Sequence, residues 1–367
     1  ANASGDESAN AATGLNARAS GNEGFNAAYG YNSFASGNGS ANAAIGADFN
    51  QDGVGANAGG ANSQNAAFGA DSNASGDGSA NIALGRGANA SGANATNMAI
   101  GVGATASNNG MAIGTGARAT QSTATAVGSG ATANAINSSA FGAGSSASAG
   151  SSAYGVNSTA SGSSSSAYGA SSTASGAGSS TFGVFSKASG DFSSAYGFDS
   201  DATGNQSSAY GAFSAATGTN SSAYGISSEA SGAGSSAFGN DSSASGISSS
   251  AFGNNSTASG TNSSAYGIFS RAEGNSSVAI GDTARVLGAT STNSVAVGAL
   301  NTVTGANSGA FGTGNTVTGN GSFAIGDPNV INGNESHAFG NNNTINADNA
   351  VAIGNGNNVA HDNAAAI

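Results

Sequence analysis

Residues 152–165 read SAYGVNSTASGSSS, and residues 166–179 read SAYGASSTASGAGS. The two stretches are copies of one 14-residue unit, and related units occupy most of the 367-residue chain. A short unit that recurs throughout a sequence is typical of a solenoid, in which each unit is one coil that packs on its neighbours. The sequence therefore predicts a single repeat domain over residues 1–367 in place of several globular domains.

A large apolar residue followed by glycine marks each unit; we call it the anchor and count positions in the coil from it. In the central coils the anchors lie 14 residues apart, at Tyr154, Tyr168, Phe182, Tyr196, Tyr210, Tyr224, Phe238, Phe252, Tyr266 and Ile280. The next spacing, to Val297, is 17 residues and predicts a stretched coil near residues 281–297. N-terminal anchors are 13 to 16 residues apart with one gap of 23, which predicts a loop insertion near residues 46–65.

Each unit contains two short segments separated by Gly, Ser and Asn, which favour turns. Glycine recurs too often for a helix, and no apolar period of 3.6 residues survives across a coil. The fold class that follows is all-β, a parallel β-solenoid whose coils read strand, turn, strand, turn. At the spacing of neighbouring strands, about two dozen coils would form a rod on the order of 110 to 120 Å long.

Side chains alternate across a strand, so counting by twos from the anchor predicts which columns face inward. This count predicts that the anchors and positions −2, +4 and +6 form a shared core. Position +5 carries five of the six basic residues together with Asp201 and Glu229, so it should face water. Position +4 repeats Ser and then Asn, from Ser158 to Asn357, which predicts hydrogen-bonded ladders between coils.

Position −1 should then face outward, yet it is almost entirely alanine. An outer surface without charge or bulk would let another backbone approach closely, so this column is predicted to be a subunit interface. Its residues are Ala153, Ala167, Ala195, Ala209, Ala223, Ala237, Ala251, Ala265 and Ala279. The alternative is that alanine occurs here because the whole chain is rich in it.

Four phenylalanines interrupt the repeat at turn positions where most coils have Asn, Ser or Ala. Phe185, Phe213 and Phe269 lie at position +3, and Phe198 lies at +2. Bulky apolar side chains in turns lower solubility unless they are covered or used for binding. The sequence leaves two readings open: burial against a neighbouring subunit, or a binding patch.

The composition argues against several classes of function. A net charge of −12 opposes binding to nucleic acid, and the absence of cysteine excludes disulfide and thiolate chemistry. The two histidines, His337 and His361, lie in separate coils, so no group of titratable side chains converges and we expect no enzyme, cofactor or metal site. Residues 46–53 offer oxygen ligands but lack the terminal Glu of an EF-hand loop, so an ion there is left open.

The stretches SVAIG at 277–281, SVAVG at 294–298 and STASG at 158–162 resemble the head repeats of trimeric autotransporter adhesins, the YadA-like family. The resemblance implies a left-handed parallel β-roll, assembled as a homotrimer. It also implies a virulence-associated adhesin on the bacterial cell surface, anchored in the outer membrane and attached to host matrix or cells. No neck, heptad stalk or membrane-barrel segment occurs, so we expect a head fragment whose membrane link lies in a C-terminal anchor outside it.

Two other functions compete with an adhesin head. A trimeric tail fibre of a phage, or another extracellular filament, would use the same coils without host adhesion. Binding of ice or glycans by the +5 face is less favoured, because Thr159 and Thr173 give way to Lys187 and Asp201 and leave no regular threonine array.

Overall fold

A computed structural model describes all residues, Ala1–Ile367, and contains only short strands and turns. The chain divides into two compact units, Ala1–Phe185 and Ser186–Ile367. Together they contain about 26 turns of a parallel β-solenoid without helices, which confirms the predicted all-β repeat fold. Each coil has an anchor strand, a first turn, a second strand and a second turn.

In the first unit the two series of strands alternate along the chain. The anchor strands are Ala11–Thr13, Ala27–Tyr29, Ala43–Ile45, Ala66–Phe68, Ile82–Leu84, Met98–Ile100, Met111–Ile113, Thr125–Val127, Ser139–Phe141, Ser152–Tyr154, Ser166–Tyr168 and Ser180–Phe182. The second strands are Asn2–Ser4, Arg18–Ser20, Phe34–Ser36, Thr105–Ala106, Arg118–Ala119, Thr132–Ala133, Ser146–Ala147, Thr159–Ala160 and Thr173–Ala174. Single bridges through Asn57, Asn73 and Asn89 join Phe34 to Thr105.

The second unit repeats this alternation. Its anchor strands are Ser194–Tyr196, Ser208–Tyr210, Ser222–Tyr224, Ser236–Phe238, Ser250–Phe252, Ser264–Tyr266, Val278–Ile280, Val295–Val297, Gly309–Gly312, Phe323–Gly326, His337–Asn341, Val351–Asn355 and Ala365–Ala366. Its second strands are Lys187–Ala188, Asp201–Ala202, Ala215–Ala216, Glu229–Ala230, Ser243–Ala244, Thr257–Ala258, Arg271–Ala272, Arg285–Val286, Thr302–Val303, Thr316–Val317, Asn329–Ile331, Asn343–Ile345 and Asn358–Val359.

Strands of successive coils pair in parallel, and equivalent positions of the repeat face each other. Tyr196 pairs with Tyr210 in one series, for example, and Asp201 with Ala215 in the other. Each repeat position therefore becomes a straight column along its unit, so that one substitution in the repeat changes one point on a defined face.

Both turns of a coil place a residue in the left-handed backbone region. In the coil of Tyr154 these residues are Asn157, with φ of 55°, and Ser164, with φ of 54°. Gly155, with φ of 138°, precedes the first turn, and a Cβ there would lie 2.5 Å from the carbonyl oxygen of Gly169 in the next coil. The glycine that follows each anchor is thus required by close contact between the turns of stacked coils.

The core of each coil differs from the sequence prediction in the anchor strand. Positions +4 and +6 face inward as predicted, but the anchors are at least partly exposed and the inward positions of their strand are −1 and −3. In the coil of Tyr210 the buried residues are Ser207, Ala209, Ser214 and Ala216. Side chains alternate between the inner and outer faces only within one extended segment. The first turn contains a left-handed residue and reverses this alternation, so odd positions face inward in the anchor strand and even positions face inward in the second strand.

The interior is narrow and partly polar, and the polar groups form ladders along two columns. In the C-terminal coils Asn315, Asn329, Asn343 and Asn357 at +4 each donate from Nδ2 to Oδ1 of the preceding Asn, over 2.9–3.1 Å. The predicted asparagine ladder is therefore confirmed. The serines at +4 instead bond within their own coil, as Ser158 does to the Gly155 carbonyl at 2.9 Å.

A second asparagine column, which the sequence analysis missed, lies at −3 in the N-terminal coils. It contains Asn26, Asn42, Asn65, Asn81 and Asn97, all buried. The Nδ2 group of Asn26 bonds to Oδ1 of Asn10 at 3.1 Å, as in the C-terminal ladder. The recurrence of Asn three residues before the anchor was the signal in the sequence.

The two irregular coils keep the strand register and place their extra residues in turns. Ile45 pairs with Phe68, and Phe34 forms a bridge with Asn57, so the insertion extends the first turn after Ile45. In the stretched coil Val286 pairs with Val303, which places the added residues in the second turn before Ser294. Both changes alter the surface and leave the core columns continuous.

Candidate functional site: the outer faces of the coils

The outward side chains of the anchor strands, at positions 0 and −2, form what we call the anchor face. In the first unit the rings of Phe141, Tyr154, Tyr168 and Phe182 stack with centroids 4.6–4.9 Å apart. In the second unit the rings from Tyr196 to Tyr266 stack with centroids 4.6–5.0 Å apart. These separations match the spacing of paired strands, so the rings follow the backbone ladder.

The anchor face is apolar and accessible in the single chain. Representative exposed fractions are 41% for Phe182 and 43% for Ile353. Burial raises the pKa of Tyr210, and the neighbouring Tyr196 and Tyr224 raise it further. An apolar surface that recurs on every coil is larger than the patches that soluble monomers leave uncovered.

The anchors, which were predicted from the sequence to lie in the core, instead form the anchor face. The side chains of Tyr154, Tyr168, Phe182, Tyr196, Tyr210, Tyr224, Phe238, Phe252, Tyr266 and Ile280 point outward. His337 lies on the same face at −2, where its ring centroid is 5.8 Å from that of Phe323. It is a partly buried member of an apolar column with no carboxylate beside it.

The predicted alanine interface is wrong because that column lies inside the chain. Ala153, Ala167, Ala195, Ala209, Ala223, Ala237, Ala251, Ala265 and Ala279 are all fully buried within their own coils. Their small size fits the narrow space between the two strands of a coil, where −1 faces +6. A side chain with no exposed surface cannot contact a second chain.

The outer side of the second strands, at +5, faces solvent as predicted and carries five of the six basic side chains of the chain. Lys187 and Asp201 are register neighbours, and Arg271 forms an ion pair with Glu273. Burial raises the pKa of Asp201, Lys187 opposes this change and Asp199 adds to it. This face is polar and varies along the chain, in contrast to the anchor face.

The first turns form an edge on which the four phenylalanines are exposed. Phe185 in the first unit has φ of 62° and is 53% exposed. In the second unit Phe213 and Phe269 have φ of 58° and 54°, and the rings of Phe198 and Phe213 meet edge to face at 5.4 Å. A left-handed backbone is unfavourable for a bulky residue.

The insertion is organised around Asp48. Its carboxylate accepts hydrogen bonds from the backbone N–H groups of Gln51 at 2.6 Å and Gly53 at 2.9 Å, and from the side chain of Asn32 at 2.9 Å. Burial by itself would raise the pKa of Asp48, but these hydrogen bonds outweigh it and hold the pKa below its ordinary value. Its oxygens thus already have protein partners.

No group of three or more His, Cys, Asp or Glu side chains is placed to hold a metal ion. No helix of the structure is long and apolar enough to cross a membrane.

Comparison with known families agrees with this architecture. The YadA head domain repeat matches the chain over residues 82–96, 108–145, 153–179, 182–214, 216–242, 244–284 and 289–327, more than half of its length. The chain belongs to the YadA head domain repeat family. No curated protein matches the chain.

The YadA-like family implies trimerisation, adhesion to host molecules and association with the outer membrane at the cell surface, and its heads are generally not enzymes. Residues 1–81 and 328–367 lie outside the matches. In the structure they continue the same alternation of anchor and second strands.

Proposed function

We propose that this chain is a non-enzymatic adhesin head of a trimeric autotransporter, which attaches a bacterium to host matrix, host cells or other surfaces. The observation that carries the proposal is the anchor face, because a repeated apolar surface on a YadA-type roll requires a partner along its length. The partner we assign to it is a second and a third copy of the chain. The head then stands at the cell surface on an outer-membrane anchor.

Trimer assembly through the anchor face is supported by the chemistry of positions 0 and −2. Position −2 is serine in the central coils but Val278, Val295 and Phe323 towards the C-terminus, and in both regions the anchor beside it is large and apolar. In a trimer with threefold symmetry the same column of every chain can face the rotation axis, so that three identical apolar columns pack together. Once buried in the trimer, the anchor rings would supply the apolar centre of the interface.

Attachment to a receptor is assigned to the first-turn edge. The anchor face already provides an apolar surface on every coil for assembly, whereas the phenylalanines of the turns occur only in particular coils. Phe213 and Phe269 adopt the left-handed conformation, but this turn does not require a bulky side chain. Asn255 adopts the same conformation at the same position, one coil before Phe269. Retaining strained, half-exposed rings is characteristic of binding surfaces.

The test replaces Phe185, Phe213 and Phe269 by Asn, which the same turn already accepts at Asn157 and Asn255. Sedimentation of the variant and its attachment to matrix-coated or cell surfaces are then measured. An intact trimer with lost attachment supports the proposal. Dissociation of the trimer assigns the rings to assembly, and unchanged attachment removes them from any binding role.

A matched control is the replacement of Asn157 and Asn255 by Ser, a residue found at this position in other coils, such as Ser171 and Ser227. This variant should keep both the trimer and attachment, because it changes polar turns and leaves every phenylalanine in place. The proposal of an adhesin head itself fails if the parent chain attaches to none of the surfaces as a folded trimer.

A further inference from the structure

The N-terminal insertion borders an open cavity of about 370 Å³ on the outer side of the second strands. Three consecutive +5 positions form its floor: Arg18 pairs with Phe34, and Phe34 forms a bridge with Asn57. Gly53 and Val54 of the insertion form part of its wall. Because of the parallel register, a guanidinium, an aromatic ring and a carboxamide lie in adjacent coils, about 4.8 Å from one to the next.

The guanidinium of Arg18 is the only charged group that lines this cavity. Its side chain is exposed and has neither a carboxylate nor a hydrogen-bond acceptor as a partner. Two other arginines of the chain are engaged: Arg271 pairs with Glu273, and Arg86 lies over the ring of Phe49 at 5.3 Å. Arg18 is thus available to bind an anion.

The ring of Phe34 supplies a flat apolar surface beside that charge. A Cβ at Gly59 would lie 2.7 Å from its Cε1 atom, so the ring packs closely on the backbone of the following coil. The ring lines the cavity and is only half-buried. Val54, which is 53% exposed, adds a second apolar group.

The amides around the cavity are held in place by Asp48. Nδ2 of Asn32 bonds to the Asp48 carboxylate at 2.9 Å, and Nδ2 of Asn16 bonds to Oδ1 of Asn32 at 3.1 Å. Oδ1 of Asn57 accepts the backbone N–H of Gly59 at 3.0 Å. Oδ1 of Asn16 and Nδ2 of Asn57 therefore remain as one acceptor and one donor for a ligand.

We propose that this cavity binds a sugar that carries a carboxylate, as one residue of a glycan. Arg18 would hold the carboxylate through paired N–H groups, and Phe34 would pack against the C–H face of the pyranose ring. Asn16 and Asn57 would bond to hydroxyl groups. A volume of about 370 Å³ lies at the small end of ligand cavities and suits one sugar residue.

Two other ligand classes fit this cavity less well. A polyphosphate or nucleic-acid backbone would require several cations, but the cavity has one and the chain carries a net charge of −12. A purely apolar ligand would take water away from Arg18 and the two amides without replacing those hydrogen bonds, which costs binding free energy.

The experiment measures saturation-transfer NMR from the intact chain to glucuronate, to N-acetylneuraminate and to glucose. Transfer to at least one acidic sugar and not to glucose is expected, and the stronger of the two identifies the class of glycan, uronate-containing or sialylated. Arg18→Gln should weaken binding about tenfold, because it removes a charge-assisted pair. Phe34→Ala should weaken binding with the fold unchanged.

The matched control is Arg118→Gln, since Arg118 occupies the same +5 column without an insertion above it. Binding by this variant should equal that of the parent chain. Absence of transfer to both acidic sugars, equal transfer to glucose, or unchanged binding by the Arg18 variant would each overturn the proposal. These measurements use free sugars, so their failure is distinct from a failure of surface attachment or trimer assembly.

Discussion

Asn329 donates a hydrogen bond from Nδ2 to Oδ1 of Asn315 over 3.0 Å, although the two residues are 14 positions apart in sequence. The same Nδ2 group bonds to the carbonyl of Gly340 at 2.7 Å, in the next coil. One buried side chain thus connects the coil before it and the coil after it. A solenoid with a narrow, partly polar interior gains cooperativity between coils in this way.

Replacing Asn329 by Ala should lower the free energy of unfolding by about 1–3 kcal/mol, because buried backbone and side-chain groups lose their partners. Asn332→Ala is the control, since Asn332 lies at the surface and bonds to Asn346 at an exposed site. Chemical denaturation of both variants measures the difference. Equal effects of the two substitutions would show that the ladder contributes no more than a surface contact.

Two serines at the same repeat position should respond in opposite ways to substitution. The hydroxyl of Ser221 is buried without a partner, whereas Ser322 donates to the Gly333 carbonyl at 2.8 Å and accepts the backbone N–H of Ser336 at 3.1 Å. Ser221→Ala should be neutral or stabilising, and Ser322→Ala should cost about 1 kcal/mol. Thermal unfolding of the two variants under identical conditions tests this contrast, and a larger loss in Ser221→Ala would contradict it.

The anchor face should carry the trimer. Replacing Tyr196, Tyr210 and Tyr224 by Ser removes three stacked outward rings and leaves the alanine core untouched, so sedimentation should show monomers that keep their β-type circular dichroism. The triple change to Phe should remain trimeric, because Phe238 and Phe252 occupy the same column. A Ser variant that sediments as a trimer would place the interface on another face.

The insertion should loosen in acid because the folded pKa of Asp48 is depressed. A depressed carboxyl pKa contributes stability that is fully present above the ordinary value, about 3.9, and is lost as the pH falls through the lowered folded pKa. The amide resonance of Gly53, which donates to Asp48, should shift in that range. In Asp48→Asn this transition should be absent; if it persists, another group controls the loop.

The 14-residue spacing was sufficient to predict the parallel solenoid and its strand–turn–strand–turn coil. These features follow from local chemistry, because glycine and left-handed residues must recur wherever a coil turns. The inward direction of Ser158 and Ala160 and the C-terminal asparagine ladder were also predicted correctly. Within one short strand, the alternation of side chains determines which of them lie on the same face.

The phase between the two strands of a coil was decided only by the tertiary structure. Ala153 is buried and Tyr154 points outward, the reverse of the sequence prediction, because the turn through Gly155 and Asn157 rotates the chain by an amount that counting residues does not give. The cavity at Arg18 also depends on folding, since Phe34, Asn57 and Val54 approach that arginine only when the coils stack and the insertion folds over them. The spacing of residues along the chain determined which residues form each column. The packing of the two strands on either side of the turn determined which columns lie inside the coil.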